Sequence, residues 1–395
     1  MKSFKKAILA GVISAAVCFC ANGEDPSVAL QTVVQAMDLL RERGIMAETN
    51  GLETALLKNL VMAADPGGTL PDAKELSSLE RETRGVWCVP DIHFTKTGKT
   101  VSVAEPLPEG FESGDAVEMV DGKGIGDLPA EEILRRLSGD CDAGARLTIR
   151  RGGSAEHDLE LARTEKPVPP VAAVEKLNPE TGYVKLFGCH PGTAAALAPV
   201  LTEWKTSGVY GVVLDLRAAG GASREDVCRI LGIFTAAEGE LFRTVPLAGG
   251  PEICTVPDGG RLGLPAMVLV DESTTGAAEL LAAGLQGMEA GSMILGRKTA
   301  GDFMLRENLR LNGDRSMRVA SRMLKFPDGR ERRANEGLVP DIVIEPRKGK
   351  PAEAPGEDMH LRLKNDVALQ RACDLLQGLR VLKIGIREES KTPEN

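Results

Sequence analysis

Nucleophiles, amines and carboxylates gather at a few places in this chain, and each place invites a different chemistry. Ser273-Thr274-Thr275 sets three hydroxyls before a helix-forming run, and Lys298 follows Thr275 by 23 residues, so a hydroxyl activated by a lysine base is one arrangement to weigh. Such a pair needs hydrogen-bond reach, and neighbouring side chains on an extended segment point in different directions. Cys189 and His190 have the residue types of thiol catalysis but, as sequence neighbours, seldom face each other. Asp302 with Glu279 or Glu272 offers a carboxylate pair, read most simply as a solvated or structural charge set. The histidines His93, His157, His190 and His360 show no ligand spacing, and the cysteines contain no C-x-x-C, so no metal and no cofactor is expected.

These groups must be positioned by a chain of 395 residues, long enough for two or three domains with buried cores. An aromatic content of 3% argues against base-stacking platforms, and a net charge of -9 argues against nucleic acid or anionic membrane as main partner. At the N-terminus, Lys2, Lys5 and Lys6 precede an apolar run from Ala7 to Phe19, then small Ala21 and Gly23 before Glu24. That is a secretory signal over residues 1–23, too short to span a bilayer, and it places the mature protein in a periplasmic or extracellular setting. Beyond it, Cys88, Cys141, Cys189, Cys228, Cys254 and Cys373 are an even set in an exported protein. Disulfides and buried free thiols both remain open, and the connectivity is not fixed by spacing.

Residues 24–83 read as a helical leader: Leu30, Val33, Val34, Met37 and Leu40, then Leu52, Leu56, Leu60 and Ala63, recur at helical spacing. Their apolar stripes must bury on the next domain or on a second copy, so a homodimer through the leader is one expectation. Residues 84–163 alternate short strands and turns, with a hairpin signal at Thr97-Gly98-Lys99, a helix over 130–137 and a strand over 146–150. Lys166-Pro167-Val168-Pro169-Pro170 reads as a semi-rigid linker. From 170 to 347, strands apolar on both faces (183–187, 210–217, 266–270, 293–296) alternate with helices, the pattern of a layered α/β core. Residues 348–395 hold a last helix, near 358–379, and a tail.

Six strings in order carry a resemblance. The "GDAVEMVDGKGI" run (114–125) is similar to a PDZ domain, and "GYVKLF" (182–187), "VVLDLRAAGG" (212–221), "AMVLVDESTTGAAE" (266–279), "GRKTAGD" (296–302) and "GLVPDIVI" (337–344) follow it. With the leader, this order resembles the C-terminal processing peptidases, or tail-specific proteases. The resemblance implies a ClpP/crotonase-like layered α/β core with an inserted PDZ-like β module and a helical N-terminal leader. It implies a serine nucleophile three residues before a helix-opening glutamate, a lysine base in a T-x-G-K segment and a glutamine four residues on. Those positions hold Gly276, Asp302 and Arg306 here. The strand-end hairpin is also altered, leaving Gly220, Gly221 and Ala277 as candidate oxyanion donors. By the PDZ resemblance, Arg84, Gly85, Val86 and Trp87 form the loop that holds a peptide C-terminus through backbone donors. The expectation is an exported, non-catalytic homologue that binds protein or peptide C-termini. An active serine endopeptidase and a dimerising scaffold are the alternatives.

Overall fold

The computed structural model describes residues 26–43, 51–152, 155–235, 239–246, 250–256, 262–286, 291–312, 315–345 and 363–389. The secretory signal lies outside these. Two helices, α1 (Pro26–Glu42) and α2 (Leu52–Ala64), follow the apolar spacing, and a third, α3 (Ala73–Arg84), has no buried residue. Its start is fixed by a reciprocal cap: the Glu75 N–H donates to Asp72 Oδ1 at 2.8 Å and the Asp72 N–H to Glu75 Oε2 at 3.0 Å.

After α3 come β1 (Val86–Pro90), β2 (His93–Thr97), β3 (Thr100–Ala104), β4 (Ala116–Val120) and β5 (Lys123–Gly124). Helix α4 (Ala130–Leu137) then leads to β6 (Ala145–Arg151), β7 (Ala155–Leu161) and β8 (Arg163–Pro167). β2 and β3 turn at Gly98, whose φ of 59° suits glycine. The order β2-β3-β4-β6-β7 forms a sheet, with β5 paired to β4, and Val120, Ile125, Ile133, Leu147 and Ile149 make its core with α4. β1 pairs instead with β8, antiparallel, Val86 opposite Pro167. The segment read as a linker at 166–170 therefore begins as strand, which Pro167 tolerates at its end position.

The second sheet is built from β9 (Val171–Asn178), β10 (Thr181–Leu186), β11 (Gly211–Asp215), β14 (Ala266–Val270), β15 (Met293–Gly296) and β20 (Ile342–Val343). Its order is β20-β15-β14-β11-β10-β9, parallel except for β9. β12 (Glu240–Pro246) and β13 (Glu252–Thr255) join β18 (Arg322–Lys325) and β19 (Glu331–Arg332) in a smaller sheet. One face of the large sheet, through Val184, Leu214, Val268 and Ile294, packs among the buried residues of α5 (Thr193–Thr206), α6 (Arg224–Phe234) and α7 (Gly276–Leu285). The other face, through Tyr183, Val213, Met267 and Leu295, packs with Leu369, Ala372 and Leu376 of α8 (Val367–Glu389). Alternate residues thus serve opposite layers, which is why these strands read as continuous apolar runs. Disulfides join Cys88 to Cys141 and Cys228 to Cys254, while Cys189 and Cys373 are free and buried.

The chain divides into two compact units, and the hairpin of β16 (Arg306–Arg310) and β17 (Ser316–Ala320) belongs with α1 and α2 rather than with the α/β unit. Within the unit of the leader, Thr69 and Arg318 exchange backbone hydrogen bonds of 3.0 and 2.8 Å. Buried Asp65 accepts from the Arg306 guanidinium at 2.9 Å and from the Ala320 N–H at 2.9 Å.

Candidate functional site

The ends of β10, β11 and β14 carry the strings that suggested chemistry. Asp215 closes β11 and is fully buried; it accepts from Arg217 (2.9 and 2.6 Å) and from the Tyr183 hydroxyl (2.9 Å). Burial alone would raise its carboxyl, but Arg217 and Lys185 outweigh burial and hold it far below the usual range. Arg217 also reaches Asp366 at 2.8 Å, so one guanidinium ties the strand end to the residue before α8.

Past this anchor the chain turns through Ala218, at φ 55°, to Gly221, at φ 100°. The Gly220 N–H faces the Phe187 carbonyl at 3.4 Å, and the Cys189 N–H donates to the Gly220 carbonyl at 2.9 Å. A Cβ on Gly221 would lie 2.4 Å from the Cys189 carbonyl oxygen, so only glycine fits this approach. From the other side, the Ala277 N–H donates to the Gly221 carbonyl at 2.9 Å and the Thr275 N–H to the Ala219 carbonyl at 3.0 Å. An oxyanion hole needs N–H groups left facing the substrate. Here the Gly220 N–H faces the Phe187 carbonyl beyond β10, and the Ala277 N–H the carbonyl of Gly221. The Glu82 carboxylate of α3 stands beside the same loop, its Oε1 3.6 Å from where a Gly220 Cβ would sit, a charge of the wrong sign for an oxyanion.

Gly276 opens α7, buried and with φ 58°, and a Cβ there would lie 2.6 Å from the Gly221 oxygen. One turn later Glu279 is wholly buried. Its carboxylate accepts from the Thr299 hydroxyl and from the N–H groups of Gly301 (2.7 Å), Asp302 (2.8 Å) and Phe303 (3.2 Å). Burial raises its pKa, opposed by these four donors. Glu279 therefore brings the segment of Asp302 to the helix that starts at Gly276. The Ala300 N–H completes the link by donating to the Thr274 carbonyl at 3.1 Å. Glu279 itself was read only as one of a charge pair; its role as the post of the loop became visible in three dimensions. Arg306 belongs to the unit of the leader and is committed there to Asp65.

The other chemical candidates are engaged or exposed. The Thr274 hydroxyl is buried and donates to the Leu216 carbonyl at 2.9 Å, while Ser273 and Lys298 are exposed. Burial, then Asp226, pushes the Cys189 thiol well up, and burial, then the Arg135 charge, lowers His190. Both shifts oppose a thiolate–imidazolium pair. His190 Nδ1 is buried without a hydrogen-bond partner.

At the start of the β module, the Arg84 guanidinium pairs with Glu165 at 3.0 and 2.8 Å. The Gly85 N–H donates to the Glu82 carbonyl at 3.0 Å, closing α3, and the Gly85 carbonyl accepts from Val168 at 2.9 Å. The expected carboxylate capture by Gly85 thus finds its donor already engaged. Val86 and Trp87 instead face a cavity of about 360 Å³ shared with Arg81, Glu82, Gly139 and His190. On the core side Trp87 meets the Phe187 ring edge-on at 5.5 Å, and the Arg135 guanidinium of α4 lies 5.1 Å from the same ring.

Residues 180–344 match the model of peptidase family S41. A chloroplastic C-terminal processing peptidase of Tetradesmus obliquus is 27% identical over 323 residues, 74% of this chain and 68% of that protein. A carboxyl-terminal-processing protease of Synechocystis is 24% identical over 358 residues, 86% and 81% of the two chains. Among solved structures, a photosystem II D1 C-terminal processing protease is 26% identical, covering 78% of this chain and 86% of its own, with a TM-score of 0.45. The S41 match covers the large sheet from β10 to β20 with the helices between its strands. Over most of its length the chain is similar to the C-terminal processing, or tail-specific, proteases.

Proposed function

We propose that this chain is an exported, non-catalytic member of that family that binds peptide or protein C-termini. One observation carries the reading. At the position where the resemblance puts the nucleophile stands Gly276, without a side chain, and the next N–H is bonded to the Gly221 carbonyl instead of facing a cleft. Asp302 at the base position supplies no amine, and Glu82 adds negative charge beside Gly220. Loss of a serine nucleophile lowers turnover by about a million-fold in serine hydrolases. Export is supported by the N-terminal sequence, and among the described residues no helix is long and apolar enough to cross a membrane. The cavity along β1 at Val86 and Trp87, walled by α3 and by Ser138 and Gly139, is where a peptide would bind.

The test incubates the purified mature chain with unstructured peptides and a fluorophosphonate probe, then titrates it with one peptide and its C-terminally amidated form. Binding that weakens on amidation, without cleavage or labelling, is the expected result. Turnover that vanishes in Thr275→Ala would refute the non-catalytic reading.

A homodimer through the leader is a second reading. Val34 and Leu39 on α1 and Leu60 and Met62 on α2 are about half exposed, at 55, 51, 54 and 48%.

A further inference from the structure

β1 has two edges. One is paired with β8, Cys88 opposite Glu165. The other faces α4, where an added peptide strand would lie, and it is closed at Cys88: the Gly139 N–H donates to the Cys88 carbonyl at 3.0 Å as an antiparallel bridge. Of the β1 residues that line the cavity, Val86, Trp87 and Cys88, the bridge takes Cys88 and leaves two, about 7 Å of strand at roughly 3.3 Å per residue. That is too short to pair an extended peptide of four residues. The closing segment is fastened at each end by Arg163, which donates to the Leu137 carbonyl (2.9 Å) and to those of Ala143 (3.3 Å) and Gly144 (3.0 Å). Between these posts, Ser138 to Asp142 is joined to β1 by the Gly139 bridge and covalently by Cys88–Cys141.

We propose that the Cys88–Cys141 disulfide is a redox latch on the peptide groove, closed when oxidised and opened by reduction to admit an extended peptide along β1. The proposal rests on the peptide-binding reading above. Cys88 is 1% exposed, whereas Cys141 is half-buried, so an external dithiol attacks at the Cys141 sulfur. Its thiolate forms a mixed disulfide there, and Cys88 leaves as a thiolate that takes up a proton. The second thiol of the reductant then releases Cys141 and departs as a cyclic disulfide, two electrons and two protons having passed to the protein. With the covalent tie gone, one backbone hydrogen bond holds Gly139 on β1. A peptide strand that makes several such bonds displaces it.

The experiment uses the full mature chain carrying Cys228→Ser and Cys254→Ser, so that reduction touches only this bond. Hydrogen exchange over residues 134–144 and binding of a fluorescent peptide with a free C-terminus are measured with and without dithiothreitol, and again in Cys88→Ser/Cys141→Ser. Should either pair of substitutions prevent folding, the wild-type chain titrated with dithiol supplies the same two readouts. Reduction is expected to speed exchange at Gly139 and to tighten peptide binding about tenfold, the effect of one or two net main-chain hydrogen bonds. Unchanged exchange overturns the latch. Equal affinity in both redox states overturns it while leaving the binding reading intact. Failure of both states to bind any peptide removes that reading and the latch with it.

Discussion

Restoring the family's residues should break this protein before it revives it. The perturbation is Gly276→Ser with Asp302→Lys and Arg306→Gln. A serine at φ 58° adopts the left-handed region, at about 1–2 kcal/mol for a residue with a Cβ. That Cβ would stand 2.6 Å from the Gly221 oxygen, so the carbonyl must move and its hydrogen bond from Ala277 is lost, about 0.5–1.5 kcal/mol more. Arg306→Gln removes the guanidinium from Asp65 in a pair whose side chains are only 9% and 3% exposed. Taking one partner from a buried ion pair costs about 3–5 kcal/mol. Positions 276 and 306 share no hydrogen-bond partner in the bonds described above, so the effects should add to roughly 5–8 kcal/mol. That is a large part of the roughly 5–15 kcal/mol that holds a domain folded. Urea unfolding followed by circular dichroism reads the loss, and peptide hydrolysis by the folded fraction reads any gain. Keeping Arg306 should recover most of the stability. A triple variant within about 1 kcal/mol of the wild type, or one that turns over peptide, would refute this reasoning.

Two further outcomes are expected. Burial raises the Glu279 carboxyl above its ordinary 4.5, and an acid raised in the folded state contributes stability that is full below that value and is lost as pH rises through the folded pKa. Glu279→Gln stays neutral, so the stability of wild type relative to this variant should fall as pH rises from about 4.5 towards 7; a flat difference in urea midpoints would sink the assignment. If the leader joins two copies, sedimentation of the mature chain should show a dimer that Val34→Glu with Leu39→Glu converts to monomer, and a wild-type monomer at tens of micromolar removes that reading.

The sequence made the large sheet legible because its strands are apolar on both faces. β14 and β15 lie over 266–270 and 293–296 as their unbroken runs suggest, and α4 spans the stretch read as helix. α3 was folded into the leader without being distinguished, since it lacks an apolar stripe; its signal was the Asp72/Glu75 cap. The pairing of β1 with β8 was hidden by prolines that also suit a linker. Grouping β16 and β17 with the leader depends on Asp65 meeting Arg306 across 241 residues, a contact no local pattern announces. The order of strings drew attention to positions 276 and 302, and Glu279 does gather their segments. Which carbonyls the Gly220, Ala277 and Gly85 donors face is a tertiary matter, and there sequence reading had no purchase.

On the non-catalytic reading proposed above, those backbone partners also explain how the chain can dispense with the chemistry and keep the architecture. An active acyl-transfer site holds donors unpaired until a transition state arrives, and an unmet buried donor costs roughly 1–3 kcal/mol. In this chain the N–H groups of Ala277, Gly301, Asp302 and Phe303 are paired with the Gly221 carbonyl or the Glu279 carboxylate. Each pairing favours the folded state and opposes substrate activation. The Asp215–Arg217–Asp366 chain beneath fixes the strand end whether or not anything reacts above it. On this reading the residues at 276 and 302 and the backbone bonds around them act together. Changing three side chains therefore does not reverse the loss: the loop from Ala219 to Gly221 must also turn its carbonyl away from Ala277, against the bonds that now hold it.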